Sequence, residues 1–268
     1  MPAVILDGTQ IATEIKQDLA KKVRASTISP GLAAVLVGDN AASALYVKLK
    51  EKAALEVGIT FHKYLSTPDC YDGISEPELI DLIKFLNNDP TIDAILVQLP
   101  LPERFDTNII LKLVDPAKDV DAFSSNKLTS PTVEAIAELL KATKEDLHDK
   151  KTLILGNSEV FTQAIAKHVK KEFGIKEVTI EHAIPKDSKE YDVIIIALGQ
   201  AHALKKSHVK DGAIVIDVGI NKLDGTTVGD VDPIVAEVAG YLSPVPGGVG
   251  PLTVACLMRN TYLLAREK

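Results

Sequence analysis

The chain has 268 residues, 46% of them hydrophobic and 25% charged, a composition typical of a folded protein with one or two cores. Its net charge of −7, with no compensating basic block, argues against nucleic-acid binding, and no apolar run is long enough to cross a membrane. The N-terminus carries no charged leader, and the two cysteines form neither a disulfide framework nor a metal-ligand pattern. We therefore expect a cytoplasmic protein without a bound metal.

In the first half of the chain, short apolar runs alternate with amphipathic stretches. The predicted strands are Ala33–Val37, Ile59–Tyr64 and Ala94–Val97, and the predicted helices between them are Ala44–Val57 and Glu76–Leu86. Strands composed almost entirely of Val, Ile, Leu and Ala are buried on both faces, and their alternation with helices indicates a parallel sheet.

The second half repeats this rhythm after a polar segment at Asp121–Pro131. The predicted strands are Thr152–Leu155, Val178–Ile180, Val193–Ala197 and Ala213–Asp217, and the predicted helices are Thr162–Lys171 and Val254–Arg266. The fold class that follows is α/β with two domains, divided within the polar segment.

The most unusual stretch is Pro244–Thr253, which has three prolines and three glycines within eight residues and leads into the last helix. A cluster of Pro and Gly is more often a plain turn. This loop, however, is apolar and abuts a helix N-terminus, where free N–H groups and the positive end of the helix dipole are available. We therefore favour a loop that faces a ligand.

One predicted helix offers a candidate acid/base group. Tyr46 and Lys50 are four residues apart, which places both side chains on one face. Lys48 and Lys52 lie in the same helix, and periodicity does not select among the three lysines, which more often decorate a solvated surface. Gln98 follows a buried strand, at the position where ligands bind to open α/β sheets.

Other polar residues also follow predicted strands or turns. Of Asp119 and Asp121, only one can face a cleft if the segment is extended, and a turn role is the alternative for either. Gly156-Asn157-Ser158 has the strand–turn–helix context of a dinucleotide site but lacks the G-x-G-x-x-G fingerprint, so the signal is weak.

Four motifs, spread in order over nearly the whole chain, resemble those of the methylenetetrahydrofolate dehydrogenase/cyclohydrolase family. They are Tyr46-Val47-Lys48-Leu49-Lys50 with Lys52, Val97-Gln98-Leu99-Pro100-Leu101-Pro102 with Asp115–Asp121, Asp217–Asn221 with Gly229-Asp230-Val231, and Pro244–Thr253. The resemblance implies a folate-binding catalytic domain at residues 1–127 plus 251–268 and a Rossmann-like NAD(P)-binding domain at 128–250. It also implies that the last helix returns to the first domain and that the protein is a homodimer.

The resemblance also implies roles for individual residues. Lys50 would be the acid/base group of the cyclohydrolase step, Gln98 would hold and tune it, and Asp121 would anchor the pterin ring. Further substrate contacts would be Tyr46, Val97, Leu99, Pro246, Gly247, Gly248, Val249, Gly250 and Pro251. Cofactor contacts would be Gly156, Asn157, Ser158, Glu181 and Ile220.

The sequence departs from the family pattern mainly on the nucleotide side. Asn157, Thr162 and Ala164 stand where the family has Arg, Gly and Pro, and Ala122 replaces a usual glycine. The family uses NADP, but the missing arginine and the acidic Glu181 favour NAD. Two alternatives to a bifunctional enzyme therefore remain: a cyclohydrolase with lost or weak dehydrogenase activity, and a non-catalytic folate- or nucleotide-binding scaffold.

Overall fold

Two parallel sheets organise the chain, whose computed structural model describes residues 2–66, 73–123 and 127–267. In chain order the elements are β1 (Val4–Ile5), α1 (Gly8–Ala25), β2 (Gly31–Val37), α2 (Ala41–Val57), β3 (Thr60–Ser66), α3 (Glu76–Asn88), β4 (Ala94–Val97), α4 (Thr107–Lys112), α5 (Pro131–Ala142), β5 (Thr152–Gly156), α6 (Glu159–Phe173), β6 (Val178–Glu181), β7 (Val193–Ala197), β8 (Ile214–Asp217), β9 (Asn221–Leu223), β10 (Thr226–Val228), β11 (Tyr241–Leu242) and α7 (Val249–Arg266). Short 3-10 helices lie at Ser188–Glu190, Lys206–His208 and Pro233–Glu237.

The three-stranded unit comprises residues 13–131 and 254–268. Its strand order is β3-β2-β4, all parallel, and every residue of the central strand β2 is buried because both faces are covered. On one face the core joins apolar residues of α1, α2 and α7, and on the other it joins those of α3 and α4. The Asn40 side chain caps α2 by accepting a hydrogen bond from the Ser43 N–H, so the helix starts close behind the end of β2.

The six-stranded unit comprises residues 1–12 and 132–253. Its sheet has the order β1-β11-β8-β7-β5-β6 with parallel pairing throughout, and β9 and β10 form a separate antiparallel hairpin. Strands β5, β7 and β8 are interior and almost completely buried, whereas β6 lies at the edge. The first residues belong to this unit because β1 pairs with β11.

The predicted two-domain α/β fold is confirmed, including the return of the last helix to the unit that holds the N-terminal motifs. The predicted domain boundaries, 1–127 plus 251–268 and 128–250, stay a prediction. Several predicted element bounds differ from the observed ones by one to three residues, and the largest error is at α7, which begins at Val249 and not at Val254. Pro251 fits there because the N–H groups of the first helical turn have no acceptor within the helix, so a proline costs no hydrogen bond.

Elements that the sequence did not predict are α1, α4, α5 and the short strands β1, β9, β10 and β11. In the part of the chain that the structure describes, no helix combines the length and apolar character needed to span a membrane.

Candidate active site

The face of α2 that carries Tyr46 and Lys50 is partly buried, whereas Lys48 and Lys52 are exposed. The Lys50 Nζ donates a hydrogen bond to Gln98 Oε1 over 2.8 Å. Burial lowers the pKa of Lys50, and the negative charge of Asp121 opposes that shift. Burial and a specific partner thus single out Lys50 among three lysines that helical spacing alone leaves equivalent.

Gln98 is held rigidly at the carboxyl end of β4. Its backbone N–H donates to the Val35 carbonyl over 2.8 Å, and its Nε2 donates to the Leu99 carbonyl over 2.7 Å. The second bond fixes the orientation of the amide, because the nitrogen must face Leu99 and the oxygen is left for Lys50. Val97 is buried in β4 and Leu99 is partly buried.

Asp121 completes this cluster from the segment that runs beside β4, where Asp119 forms an isolated parallel bridge with Ile95. Burial raises the pKa of Asp121 to about 6, the Lys50 charge lowers it, and the Asp119 charge raises it. A lysine and a carboxylate are therefore both pushed towards their neutral forms while attracting each other. Lys50 therefore gives up its proton more readily than an exposed lysine, as an acid/base group requires.

The backbone around Asp121 depends on two residues outside the predicted site. Ala122 has a φ of 59°, in the left-handed region that favours glycine, so the alanine at this position carries strain. Asn260 on α7 is buried and donates through Nδ2 to the carbonyls of Val120, over 3.1 Å, and Thr129, over 3.0 Å. The sequence signal that could have indicated Asn260 is an amide side chain within a largely apolar helix, because a polar group buried there needs hydrogen-bond partners.

The predicted substrate loop belongs to the six-stranded unit, and the Lys50 cluster belongs to the three-stranded unit. Pro246, Gly247 and Gly248 form a loop, whereas Val249, Gly250 and Pro251 form the first turn of α7. Gly247 has a φ of 109° and its carbonyl accepts the Thr9 N–H over 3.1 Å. The loop backbone is thus tied to the start of α1.

The carboxyl edge of the six-stranded sheet carries the predicted cofactor contacts. Gly156 ends β5, and Ser158 caps α6 by accepting a hydrogen bond from the Phe161 N–H. A Cβ on Gly156 would lie 2.8 Å from the Thr162 methyl group, so glycine at 156 leaves room for the threonine side chain of α6. The N-terminus of α6 follows this turn directly, and a helix N-terminus is a type of site that binds an anionic group such as a pyrophosphate.

Two of the residues that depart from the family pattern, Thr162 and Asn157, make local hydrogen bonds. Thr162 is completely buried, and its hydroxyl donates to the Ser158 and Glu159 carbonyls over 3.1 Å. Its added bulk therefore lies beneath the turn and does not project towards the open edge. Asn157 donates through Nδ2 to the Leu198 carbonyl over 2.7 Å, so it joins the turns that follow β5 and β7.

Glu181 and Ile220 lie at the same edge and are exposed. Glu181 ends β6 beside Leu155 of β5, and His182 hydrogen-bonds through Nδ1 to the Gly156 carbonyl over 2.7 Å. These contacts bring Gly156, Asn157, Ser158 and Glu181 together around the end of β5, and Ile220 follows β8, which is separated from β5 by β7.

Comparison with known families matches both parts of the chain. Residues 6–121 match the catalytic domain of tetrahydrofolate dehydrogenase/cyclohydrolase, and residues 130–268 match the NAD(P)-binding domain of the same family. Two relatives are each named "Bifunctional protein FolD". The protein of Halothermothrix orenii is 41% identical to this chain over 96% of both chains, and that of Halalkalibacterium halodurans is 38% identical over 100% of both chains.

Solved structures of this family also superpose on the whole chain. The bifunctional FolD enzyme of Campylobacter jejuni superposes with a TM-score of 0.90 at 37% identity, covering 99% of each chain. The Trypanosoma brucei enzyme, solved with NADP and an inhibitor, superposes with a TM-score of 0.90 at 29% identity, covering 100% of this chain and 98% of that chain. The resemblance inferred from four motifs is confirmed, and the protein belongs to the tetrahydrofolate dehydrogenase/cyclohydrolase family.

Proposed function

We propose that the protein oxidises 5,10-methylenetetrahydrofolate to the 5,10-methenyl form with NAD(P) and then hydrolyses the methenyl bridge to 10-formyltetrahydrofolate. The observation that carries the proposal is the cluster of Lys50, Gln98 and Asp121, in which a partly buried lysine is held by a neutral amide beside a partly buried carboxylate. A merely structural lysine gains nothing from a depressed pKa, whereas an acid/base group requires it.

In the hydrolytic half, water adds to the methenyl carbon, loses a proton, and the bond from that carbon to one folate nitrogen then breaks as the nitrogen gains a proton. Neutral Lys50 accepts the proton from water, and its protonated form returns one to the departing nitrogen. Gln98 holds the Lys50 Nζ in place through the 2.8 Å bond without adding a charge that would stabilise the ammonium form. The Asp121 carboxylate accepts N–H donors from the pterin edge, and Tyr46 packs against the ring.

In the oxidative half, a bound nicotinamide nucleotide supplies the acceptor for the hydride. The residues present fit such a group, because the Gly156 turn, the Ser158 cap and the free N–H groups of α6 form an anion site at the carboxyl edge of a parallel sheet. Asn157 and Glu181 offer no cation to a 2′-phosphate, which supports weak NADP discrimination or a preference for NAD. The burial of Thr162 removes the steric argument for a lost dehydrogenase activity.

We also infer a homodimer. Strand β6 forms the edge of the six-stranded sheet, and an open edge can pair with the same strand of a second copy. A cytoplasmic location is part of the proposal and is supported by the lack of a disulfide pattern in the sequence.

The test is an absorbance assay with 5,10-methylenetetrahydrofolate and each nucleotide, paired with hydrolysis of the methenyl compound. Replacement of Lys50 by Met removes the acid/base group at similar length, so we expect hydrolysis to fall by about 10²–10⁴-fold. Lys48→Met is the matched control, because Lys48 is exposed on the same helix and should tolerate the change. Hydrolysis by Lys50→Met at the wild-type rate would refute the role of Lys50.

A further inference from the structure

Two buried carboxylates bind the loops at the carboxyl edge of the six-stranded sheet, and neither is explained by the site described above. Asp217 is the last residue of β8 and is 2% exposed. Its carboxylate accepts the backbone N–H groups of Gly219 over 2.9 Å, Asp230 over 3.1 Å and Val231 over 2.9 Å. It therefore ties the turn after β8 to the segment that follows β10.

Asp230 is completely buried and accepts four hydrogen bonds. Three come from consecutive backbone N–H groups after β7, namely Leu198 over 2.6 Å, Gly199 over 2.9 Å and Gln200 over 2.7 Å. The fourth comes from the side-chain amide of Asn221 over 2.9 Å. Successive N–H groups that converge in this way form a cradle for an anion, and here the protein fills it with its own carboxylate.

The two carboxylates also require the glycines beside them. A Cβ on Gly219 would overlap the carboxylate of Asp230, and a Cβ on Gly229 would overlap that of Asp217. The segment that contains Asp217 and Gly219 thus leaves room for the Asp230 carboxylate, and Gly229 leaves room for the Asp217 carboxylate. We call Asp217 and Asp230 the paired carboxylates.

Ile220 lies between two residues that this network holds, since the Gly219 N–H is bound by Asp217 and the Asn221 amide by Asp230. Its side chain is 53% exposed, although it is apolar and lies at the edge where nucleotides bind to such sheets. The network therefore maintains an apolar contact surface at Ile220 and a fixed backbone at Leu198–Gln200.

We propose that the paired carboxylates are positioning residues for the nicotinamide nucleotide, acting through Ile220 and the Leu198–Gln200 backbone. The inference rests on the proposed function and adds residues to which the family resemblance gave no role. Neither carboxylate contacts the nucleotide in this proposal, since their oxygens are already occupied by N–H donors.

The decisive variant is Asp230→Asn, which keeps the shape but replaces one acceptor oxygen by an NH2 group that repels the N–H donors. We expect the KM for the nucleotide to rise by about tenfold or more, with kcat at saturating nucleotide and the rate of methenyltetrahydrofolate hydrolysis both within about twofold of wild type. A general loss of structure would lower kcat and hydrolysis together. An unchanged nucleotide KM in a folded variant would overturn the inference.

Asn221→Ala provides a second, milder variant in case Asp230→Asn does not fold. It removes one hydrogen bond to Asp230 and leaves the three backbone bonds, so a smaller rise in nucleotide KM is expected. Asp224→Asn is the matched control, because Asp224 is exposed in the β9–β10 turn and Asn tolerates its positive φ of 49°. Equal KM values for Asn221→Ala and the control would count against the inference.

The wild-type protein separates the inference from the proposed function. If it hydrolyses methenyltetrahydrofolate but binds neither NAD nor NADP in a titration, the positioning role is overturned and the hydrolytic function stands. If it reduces either nucleotide but does not hydrolyse, the proposed function fails in its hydrolytic half and the variants still test the inference.

Discussion

Folate affinity should depend on pH through Asp121. Burial raises the pKa of this carboxyl to about 6, and the proposed role requires the ionised form because only that form accepts two N–H donors from the pterin edge. Lowering the pH through 6 therefore protonates Asp121 and weakens binding. Replacement by Asn should weaken binding at neutral pH and remove this pH dependence.

The size of the effect follows from the pKa. With a pKa of about 6, roughly nine-tenths of Asp121 is ionised at about pH 7 and roughly one-tenth at about pH 5. If only the ionised form binds, the Kd rises by about tenfold between these two values. Tetrahydrofolate is a suitable probe because it does not react, and calorimetric titration of wild type and Asp121→Asn across this range measures both dissociation constants.

The ratio of the two dissociation constants is the informative quantity, because titration of the ligand itself affects both proteins equally. We expect wild type to lose its advantage over Asp121→Asn as the pH falls to about 5. A ratio that stays constant from about pH 7 to 5 would show that Asp121 does not bind the pterin in its ionised form, or that its pKa is not raised.

Protein stability should change in the opposite direction. Because the folded-state pKa of Asp121 lies above its unfolded value, the folded state binds the proton more tightly, and this group adds stability as the pH falls through about 6 towards 4. Relative to Asp121→Asn, wild type should therefore become more stable over the range in which it binds folate less well. Weaker binding at low pH would then not be a consequence of unfolding.

Two further predictions concern positions where the chain departs from its family. Ala122→Gly should stabilise the protein by about 0.5–1 kcal/mol in thermal unfolding, because the relief of left-handed strain (about 1–2 kcal/mol) exceeds the added entropy of the unfolded chain. Ala117→Gly is the control, because Ala117 is exposed and has no positive φ, and this change should destabilise the protein. Equal effects of the two substitutions would contradict the strain argument. Asn157→Arg should raise the ratio of kcat/KM for NADP to kcat/KM for NAD by about tenfold, since a charge-assisted contact to the 2′-phosphate replaces the bond to Leu198. An unchanged ratio would show that position 157 does not contact that phosphate.

The sheets could be predicted from the sequence because interior strands are continuous apolar runs. The bounds of β4 and β7 match the predicted Ala94–Val97 and Val193–Ala197, and both strands are buried along almost their whole length. Helix α1 was missed because its buried face consists of a few residues, among them Ala12, Leu19 and Val23, within a sequence rich in lysine and acidic side chains.

The Lys50 cluster could be predicted only in part. Helical spacing gave Tyr46 and Lys50 a common face, but the choice of Lys50 came from family resemblance, and the physical reason for it, burial beside Gln98, exists only in the folded chain. Asn260 and its bond to Val120 join residues far apart in sequence. No local pattern could reveal such a pair.

Asp121 is partly buried and Asp230 is completely buried, and the hydrogen-bond donors around each carboxylate separate a ligand contact from a positioning role. Among the described residues, Asp121 receives no hydrogen bond, so its oxygens are free to accept donors from a ligand. Asp230 already accepts four hydrogen bonds from the protein and is completely buried, so it has no capacity left for one. Substitution at Asp121 should therefore change the affinity for folate directly, whereas substitution at Asp230 should change nucleotide affinity only through the loops that it holds.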